Sequence, residues 1–294
     1  MQRSDERRQG MRGWVKRHPV ASFFVLAYAI SWLASVPAAL GYGFMFFFTQ
    51  FGPALAALIV TWYSGAPVRG WARKIVRWRV APRWYAVAIG LPILLVGTQV
   101  AIFALLGGPI FLSLLPGALA GFVPSLAILT LDAGLGEEPG WRGLALPGLQ
   151  TAYTPVIATA VLSILWAFWH FPMVFIDERF PHRFTSIAPL MLLAFLTIVG
   201  IALMAFFYTW VYNATQSVLL CMLLHGSFNT ATGNFMAPLE VLQREVYVKL
   251  LVVQDLTLLV VVAVLVGRHR RKARLHRRLG AHPYSIGRPT NEGF

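Results

Sequence analysis

The sequence predicts an all-α membrane protein, a bundle of about eight transmembrane helices with both termini cytoplasmic, and three observations lead there. Hydrophobic residues make up 57% of the 294-residue chain and charged residues only 12%, with a mean hydropathy of +0.65. Soluble domains carry about a quarter charged residues. Apolar stretches recur that match the ~20 residues needed to cross a hydrocarbon core of ~30 Å. Basic residues gather almost wholly in three segments between or beyond those stretches.

The first stretch, 20–40, follows a basic segment, 1–19, that holds Arg3, Arg7, Arg8, Arg12, Lys16 and Arg17. A basic start with small residues at Ser35, Pro37 and Ala38 is the pattern of a cleavable signal. This stretch is longer than a signal's apolar region and further spans follow at once, so it is expected to stay as the first helix. The second, 44–63, leads into a loop with Arg69, Arg73, Lys74, Arg77, Arg79 and Arg83 among Trp71, Trp78 and Trp84. That mixture suits a helix or loop lying at the cytoplasmic interface. The third is 84–106. The fourth, 116–150, is overlong and contains Pro124, Pro139 and Pro147, each able to bend or break a helix. Gly117 and Gly121 within it are spaced for a close helix contact. Stretches 155–176, 187–209, 214–231 and 248–266 complete the eight, so that the chain divides into the basic segment 1–19, a membrane domain 20–266 and a tail 267–294. The tail, with its Gly and Pro, is expected to be poorly ordered at its end.

The net charge of +14 raises the possibility of a nucleic-acid partner, but its distribution excludes that reading. With eight spans, the N-terminal segment, the loop after the second span and the tail (Arg268, Arg270, Arg271, Lys272, Arg274, Arg277, Arg278, Arg288) share one side. The positive-inside rule makes that side cytoplasmic. The opposite side holds Arg179, Arg183, Arg244 and Lys249 beside Asp177, Glu178, Glu240 and Glu245. The basic excess is a topology signal, with anionic lipids of the bilayer as partners at the basic loops. A lone cysteine, Cys221, allows no intramolecular disulfide and reads as packing. No repeat of fixed period supports a repeat-built transporter.

Ionisable groups in a membrane are expensive and mark function by default. Those in the spans are Glu137, Glu138 and Arg142 in GEEPGWRG, His170 in LWAFWHFP, His225 with Asn229 in LLHGSFN, and Asp132 and Asp255. Asp132 suits a supporting group or a helix end, and Asp255 a cavity. His18, His182, His269, His276 and His282 fall outside the spans and read as solvated or interfacial. Counted from the cytoplasmic helix ends, Glu137 lies ~20 Å deep, His170 ~22 Å, His225 ~18 Å and Asn229 ~24 Å. Separate helices therefore bring their polar groups to one layer. His225 and Asn229 share a helical face, as do Glu138 and Arg142, while Glu137 points about 100° away. One carboxylate can be structural while its neighbour does chemistry. Pro139 and Gly140 between them are expected to loosen the helix and admit water, and Trp166 and Trp169 to pack around the site.

In a dry pocket such groups suit hydrolysis by two routes. Glu137 beside His170 can activate a water while His225 and Asn229 hold an oxyanion. Equally, Glu137, His170 and His225 can serve as three zinc ligands with an open fourth position.

Glu137-Glu138-x-x-x-Arg142, His170 four residues after an aromatic, and His225-x-x-x-Asn229 resemble the three motifs of the CPBP family, the CAAX proteases and bacteriocin-processing enzymes also called Abi proteins. FGPALAAL before the basic loop and RWYAVAIGLP after it are similar to further family features, and the wider resemblance runs from about 51 to 229. It implies an intramembrane endopeptidase related to the type II CAAX prenyl protease, with a protease core at about 116–231. It also implies that Glu137 and His170 activate water and that His225 and Asn229 support the oxyanion, with Glu138 and Arg142 matching the first motif. Family members are often called metalloproteases, whereas a glutamate-dependent mechanism without catalytic metal is argued for the prenyl protease branch. The cofactor is thus either none or a divalent metal such as zinc. Trp166 stands where the motif usually has Phe, a departure that bears on the branch more than on activity.

The rival readings are a transporter that uses the buried Glu, Arg and His groups, and a family member acting as a non-proteolytic scaffold or regulator. No H-E-x-x-H or G-x-S-x-G pattern supports a soluble-type protease. The partner expected is a peptide or membrane-protein substrate, its identity and prenylation left open along with the oligomeric state. The Arg-, Ala- and Gly-rich style points to a bacterial inner membrane.

Overall fold

In the computed structural model the described residues are 2–176, 187–236 and 244–278, and among them there is no β-strand. Asp177, Glu178, Arg179, His182, Arg183, Glu240, His282 and Arg288 lie outside them, as does the end of the basic tail.

Among the described residues fourteen α-helices follow one another: α1 Gln2–Arg17, α2 Pro19–Ala39, α3 Phe46–Thr49, α4 Gly52–Ser64, α5 Val68–Ile75, α6 Pro82–Leu105, α7 Leu115–Leu129, α8 Leu135–Gly140, α9 Leu146–Gln150, α10 Pro155–Trp169, α11 Phe171–Ile176, α12 Ile187–Thr215, α13 Val218–Phe235 and α14 Arg244–Arg278. Proline sets many of their starts, because its fixed φ suits a first turn whose N–H has no partner. It occupies that turn in α2, α4, α6 and α10. Hydroxyl caps start two of the site's helices. Thr154 accepts from the Ile157 N–H (3.4 Å) ahead of α10, and Ser217 accepts from the Leu220 N–H (3.2 Å) ahead of α13. Such a cap contributes about 1 kcal/mol. Ser217 also donates to Arg77 O at 2.6 Å, tying the start of α13 to the basic loop.

Among the described residues six segments are long and apolar enough to cross a membrane: Pro19–Ala39, Pro82–Leu105, Leu112–Gln150, Pro155–Met173, Ile187–Thr215 and Glu245–Arg271. Leu94, Val123, Ile164, Phe195 and Val260 turn outward from them, exposing the apolar belt that a bilayer covers. The chain is an all-α, multi-pass integral membrane protein.

Two of the eight expected spans differ. Stretch 44–63 is interrupted around Thr49 to Phe51, and α4 has only 13 residues, ~20 Å of helix. Helix α13 has 18 residues, but His225, Asn229 and Asn234 make it too polar for lipid, and it lies packed between α6, α7 and α8. In the overlong fourth stretch the prolines leave the chain helical. Two π-helical turns, Thr130–Gly134 and Trp141–Ala145, bracket α8 instead.

The expected close contact at Gly117 and Gly121 is not made. A Cβ at Gly117 would meet nothing within 4 Å, and one at Gly121 only the Asn234 amide at 3.8 Å. Close approaches to α4 fall instead on α8. A Cβ at Gly136 would lie 2.6 Å from Gln50 O, and one at Gly140 2.6 Å from Pro53 O, so these two glycines let the start of α4 pack directly against the helix that bears the carboxylates. Gly140 is thus a packing residue rather than a loosened turn. Elsewhere, α14 crosses α12 where the Asp255 carboxylate rests over Gly200, and buried Cys221 packs beneath Tyr208 O.

Candidate active site

Local chain geometry sets up the first motif. The Leu135 N–H reaches back to Thr130 O and the Leu146 N–H to Trp141 O, the wide turns that often accompany functional sites. Proline removes two donors from this stretch. Pro139 cannot donate towards Leu135, nor Pro147 towards Gly143. Helix α5 supplies two bonds from outside: Trp71 Nε1–H donates to Pro139 O at 2.9 Å, and Lys74 Nζ lies 3.4 Å from Gly143 O. The interfacial segment is therefore joined to the motif itself. Burial pushes the Lys74 ammonium below its usual range.

The adjacent carboxylates have different surroundings. Glu138 is fully buried, and its Oε1 accepts from Arg142 Nη1 at 3.0 Å and from His225 Nδ1 at 2.8 Å. The Arg142 guanidinium rests against two rings that meet edge to face, its Cζ 4.4 Å from the centre of Trp166 and 4.3 Å from that of Tyr208. Desolvated cation–π contacts contribute about 2 kcal/mol each. They offset part of the desolvation that such a pair suffers.

Glu137 faces elsewhere. Its Oε2 accepts from Trp166 Nε1 at 2.7 Å and from Trp141 Nε1 at 3.1 Å, while Oε1 lies 3.9 Å from His225 Nε2. Only 3% of the residue is exposed.

Each imidazole has its Nδ1 engaged. His170 Nδ1–H donates to Trp166 O at 2.9 Å; a carbonyl only accepts, so Nε2 of the neutral ring is left as an acceptor. His225 Nδ1–H donates to a carboxylate, so its Nε2 becomes a donor only in the imidazolium form. Asn229, one turn beyond His225, is half-buried, and its amide pairs with none of the described residues.

Of the residues expected from sequence, Glu137, Glu138, Arg142 and His225 thus meet directly. His170 joins them through Trp166, whose ring lies edge-on to both imidazoles, with centroids 5.5 Å from His170 and 6.0 Å from His225. Asn229 is placed by its helix alone. Asp132 accepts from Gln50 Nε2 at 3.4 Å beside the first π turn, a supporting position.

Trp166 corrects the expectation of a packing role, because it binds a carboxylate, an imidazole and a guanidinium at once; Trp169 remains a packing residue against Trp141. Trp141, Tyr208, Trp71 and Lys74 are further site residues that sequence reasoning passed over. For Trp141 the signal was present, since it stands four residues after Glu137.

Among the described residues no three or more His, Cys, Asp or Glu side chains gather as a metal ion would need them.

Residues 119–231 match the family described as type II CAAX prenyl endopeptidase Rce1-like. A curated relative, CAAX prenyl protease 2 of Methanococcus maripaludis, is 34% identical over 110 residues, which cover 37% of this chain and 39% of the relative. The match with that relative thus spans well under half of its length. Both findings concern the kind of protein that the three motifs resemble, and the similarity falls on the part of the chain that carries those motifs.

Proposed function

We propose that the protein is an intramembrane endopeptidase that hydrolyses a peptide bond of a membrane-bound substrate, of the CAAX type that the relative's name specifies, in a bacterial inner membrane. The observation that carries this reading is the asymmetry of Glu137: two tryptophans hold one oxygen, and the other is turned to His225 Nε2.

The chemistry follows from these partners. Glu137 Oε1 takes a proton from a water that also donates to His170 Nε2, and the oxygen of that water adds to the scissile carbonyl carbon. The carbonyl oxygen gains the negative charge and receives hydrogen bonds from Nε2–H of the His225 imidazolium and from the Asn229 amide. As the C–N bond breaks, the amine leaves with the proton that Glu137 had taken, restoring the carboxylate. Glu138 does not touch the substrate; it holds the charge on His225 and fixes that ring's orientation. No metal takes part in these steps.

The test is cleavage of fluorogenic CAAX peptides, with and without a prenyl group, by the full chain in detergent, with and without a chelator. The wild type should cut with no loss on chelation, and Glu137→Gln should lose about 10²–10⁴-fold in rate. Equal rates for the two proteins would remove Glu137 from the chemistry and end this reading.

A further inference from the structure

A cavity of about 980 Å³ lies at the end of the bundle that carries the basic N-terminal helix and the basic loop, and none of the site's carboxylates or imidazoles lines it. Helices α1, α4 and α5 wall it together with the chain around Gly143 and Pro147. Arg12, Lys16 and Lys74 line it, and among the described residues no carboxylate does. The partners of two of these cations are neutral. Arg12 Nε donates to Tyr63 O at 3.2 Å, and Lys74 Nζ meets Gly143 O. The protein thus gathers positive charge around a hollow without neutralising it. Partial burial, which disfavours the Lys74 ammonium, adds to the deficit that an anion would relieve.

Depth and surroundings identify the class of anion. Gly143 lies seven residues inside Gln150, ~10 Å along the helix. Trp14 and Trp62, 45% and 68% exposed, mark the layer in which indoles meet lipid headgroups. Helix α4, whose end forms one wall, carries an exposed apolar stripe of Leu55, Leu58, Ile59 and Trp62 that runs away from the cavity into the membrane. A phosphate in the cavity could therefore have its acyl chains along that stripe. A free anion would use the cations and leave the stripe idle.

We propose that this cavity is a headgroup site for one anionic phospholipid, with Arg12, Lys16 and Lys74 on the phosphate and α4 under the acyl chains. Because Lys74 and Trp71 also hold the main chain of the first motif, the bound lipid closes a wall that the carboxylate helix shares. The proposal stands independently of the hydrolytic reading.

Native mass spectrometry of the full chain, released from a neutral detergent with added phosphatidylglycerol or phosphatidylcholine of identical acyl chains, tests it. The wild type should retain one phosphatidylglycerol in preference to phosphatidylcholine. The double variant Arg12→Gln/Lys16→Gln, altered at exposed positions, should bind it about twentyfold more weakly, at about fivefold per cation. Arg79→Gln/Arg83→Gln removes the same charge from outside the cavity and should bind as the wild type does. Equal loss in both variants would overturn the proposal in favour of diffuse attraction. So would equal retention of the two lipids, and displacement by inorganic phosphate as effective as by phosphatidylglycerol would reassign the cavity to a small anion.

Discussion

The indole of Trp166 donates to Glu137 over 2.7 Å, a bond between α10 and α8 that places an aromatic residue among the polar groups of the site. Phe, which the motif usually carries here, would keep the ring and lose this donor. Trp166→Phe should therefore retain the fold while hydrolysis falls about 10–100-fold, since a hydrogen bond to a charged group is worth about 1.5–3 kcal/mol. Circular dichroism beside peptide cleavage would check both halves, and an unchanged rate would show that Trp141 alone holds Glu137.

The two glutamates should separate experimentally. Glu137→Gln keeps an oxygen for the tryptophan donors, so its thermal unfolding should match the wild type while cleavage is lost. Glu138→Gln leaves Arg142 buried without its counter-charge, and breaking such a pair is destabilising by about 3–5 kcal/mol. Thermal unfolding in detergent should show the drop for Glu138→Gln alone. Arg142→Lys should not match the wild type either, because a compact ammonium cannot reach both the Trp166 and Tyr208 rings and the Glu138 carboxylate as the broad guanidinium does.

Gly140 and Gly117 make a matched pair. Gly140→Ala drives a methyl group against the Pro53 carbonyl, main chain that cannot swing aside, and should destabilise by about 1–3 kcal/mol. Gly117→Ala meets open space and should be neutral or stabilising by up to about 1 kcal/mol. Unfolding temperatures of the two variants would decide it, and equal effects would contradict the α4–α8 packing described above.

Lys74 gives a pH dependence with a defined sign. Its folded-state pKa lies below the unfolded value of about 10.4, so between the two values the unfolded chain binds the additional proton. Stability should rise with pH across that alkaline window, and the burial penalty is fully present below it. Lys74→Met should flatten the rise, as read from unfolding temperatures in steps up to about pH 10.5. An identical slope in the variant would locate the titration elsewhere.

What the chain disclosed in advance was whatever rests on local composition or on spacing within one helix. Charge is so scarce that Glu137, Glu138, Arg142, His170, His225 and Asn229 stand out without any coordinates, and the four-residue spacings put His225 and Asn229 on one face. What it withheld depends on segments far apart. The tight glycines are Gly136 and Gly140, not Gly117 and Gly121, because α4 lies against the former, and small residues look alike until a partner is placed. Trp166 reads as apolar in sequence, since an indole is a large hydrophobic body with one donor, and only a carboxylate from another helix reveals that donor. The interruption of stretch 44–63 was hidden for a related reason: hydropathy registers Phe46 to Thr49 as membrane-like whether or not the helix continues through them.

Each carboxylate of the first motif has a partner exactly one turn along its own chain, Trp141 for Glu137 and Arg142 for Glu138. Those bonds need only that one helix. The segment is synthesised well before α10 and α13, which supply Trp166 and His225. A nascent span bearing two acids and an arginine can therefore enter the bilayer with its most expensive groups already matched, and keep those bonds while each later helix adds its own.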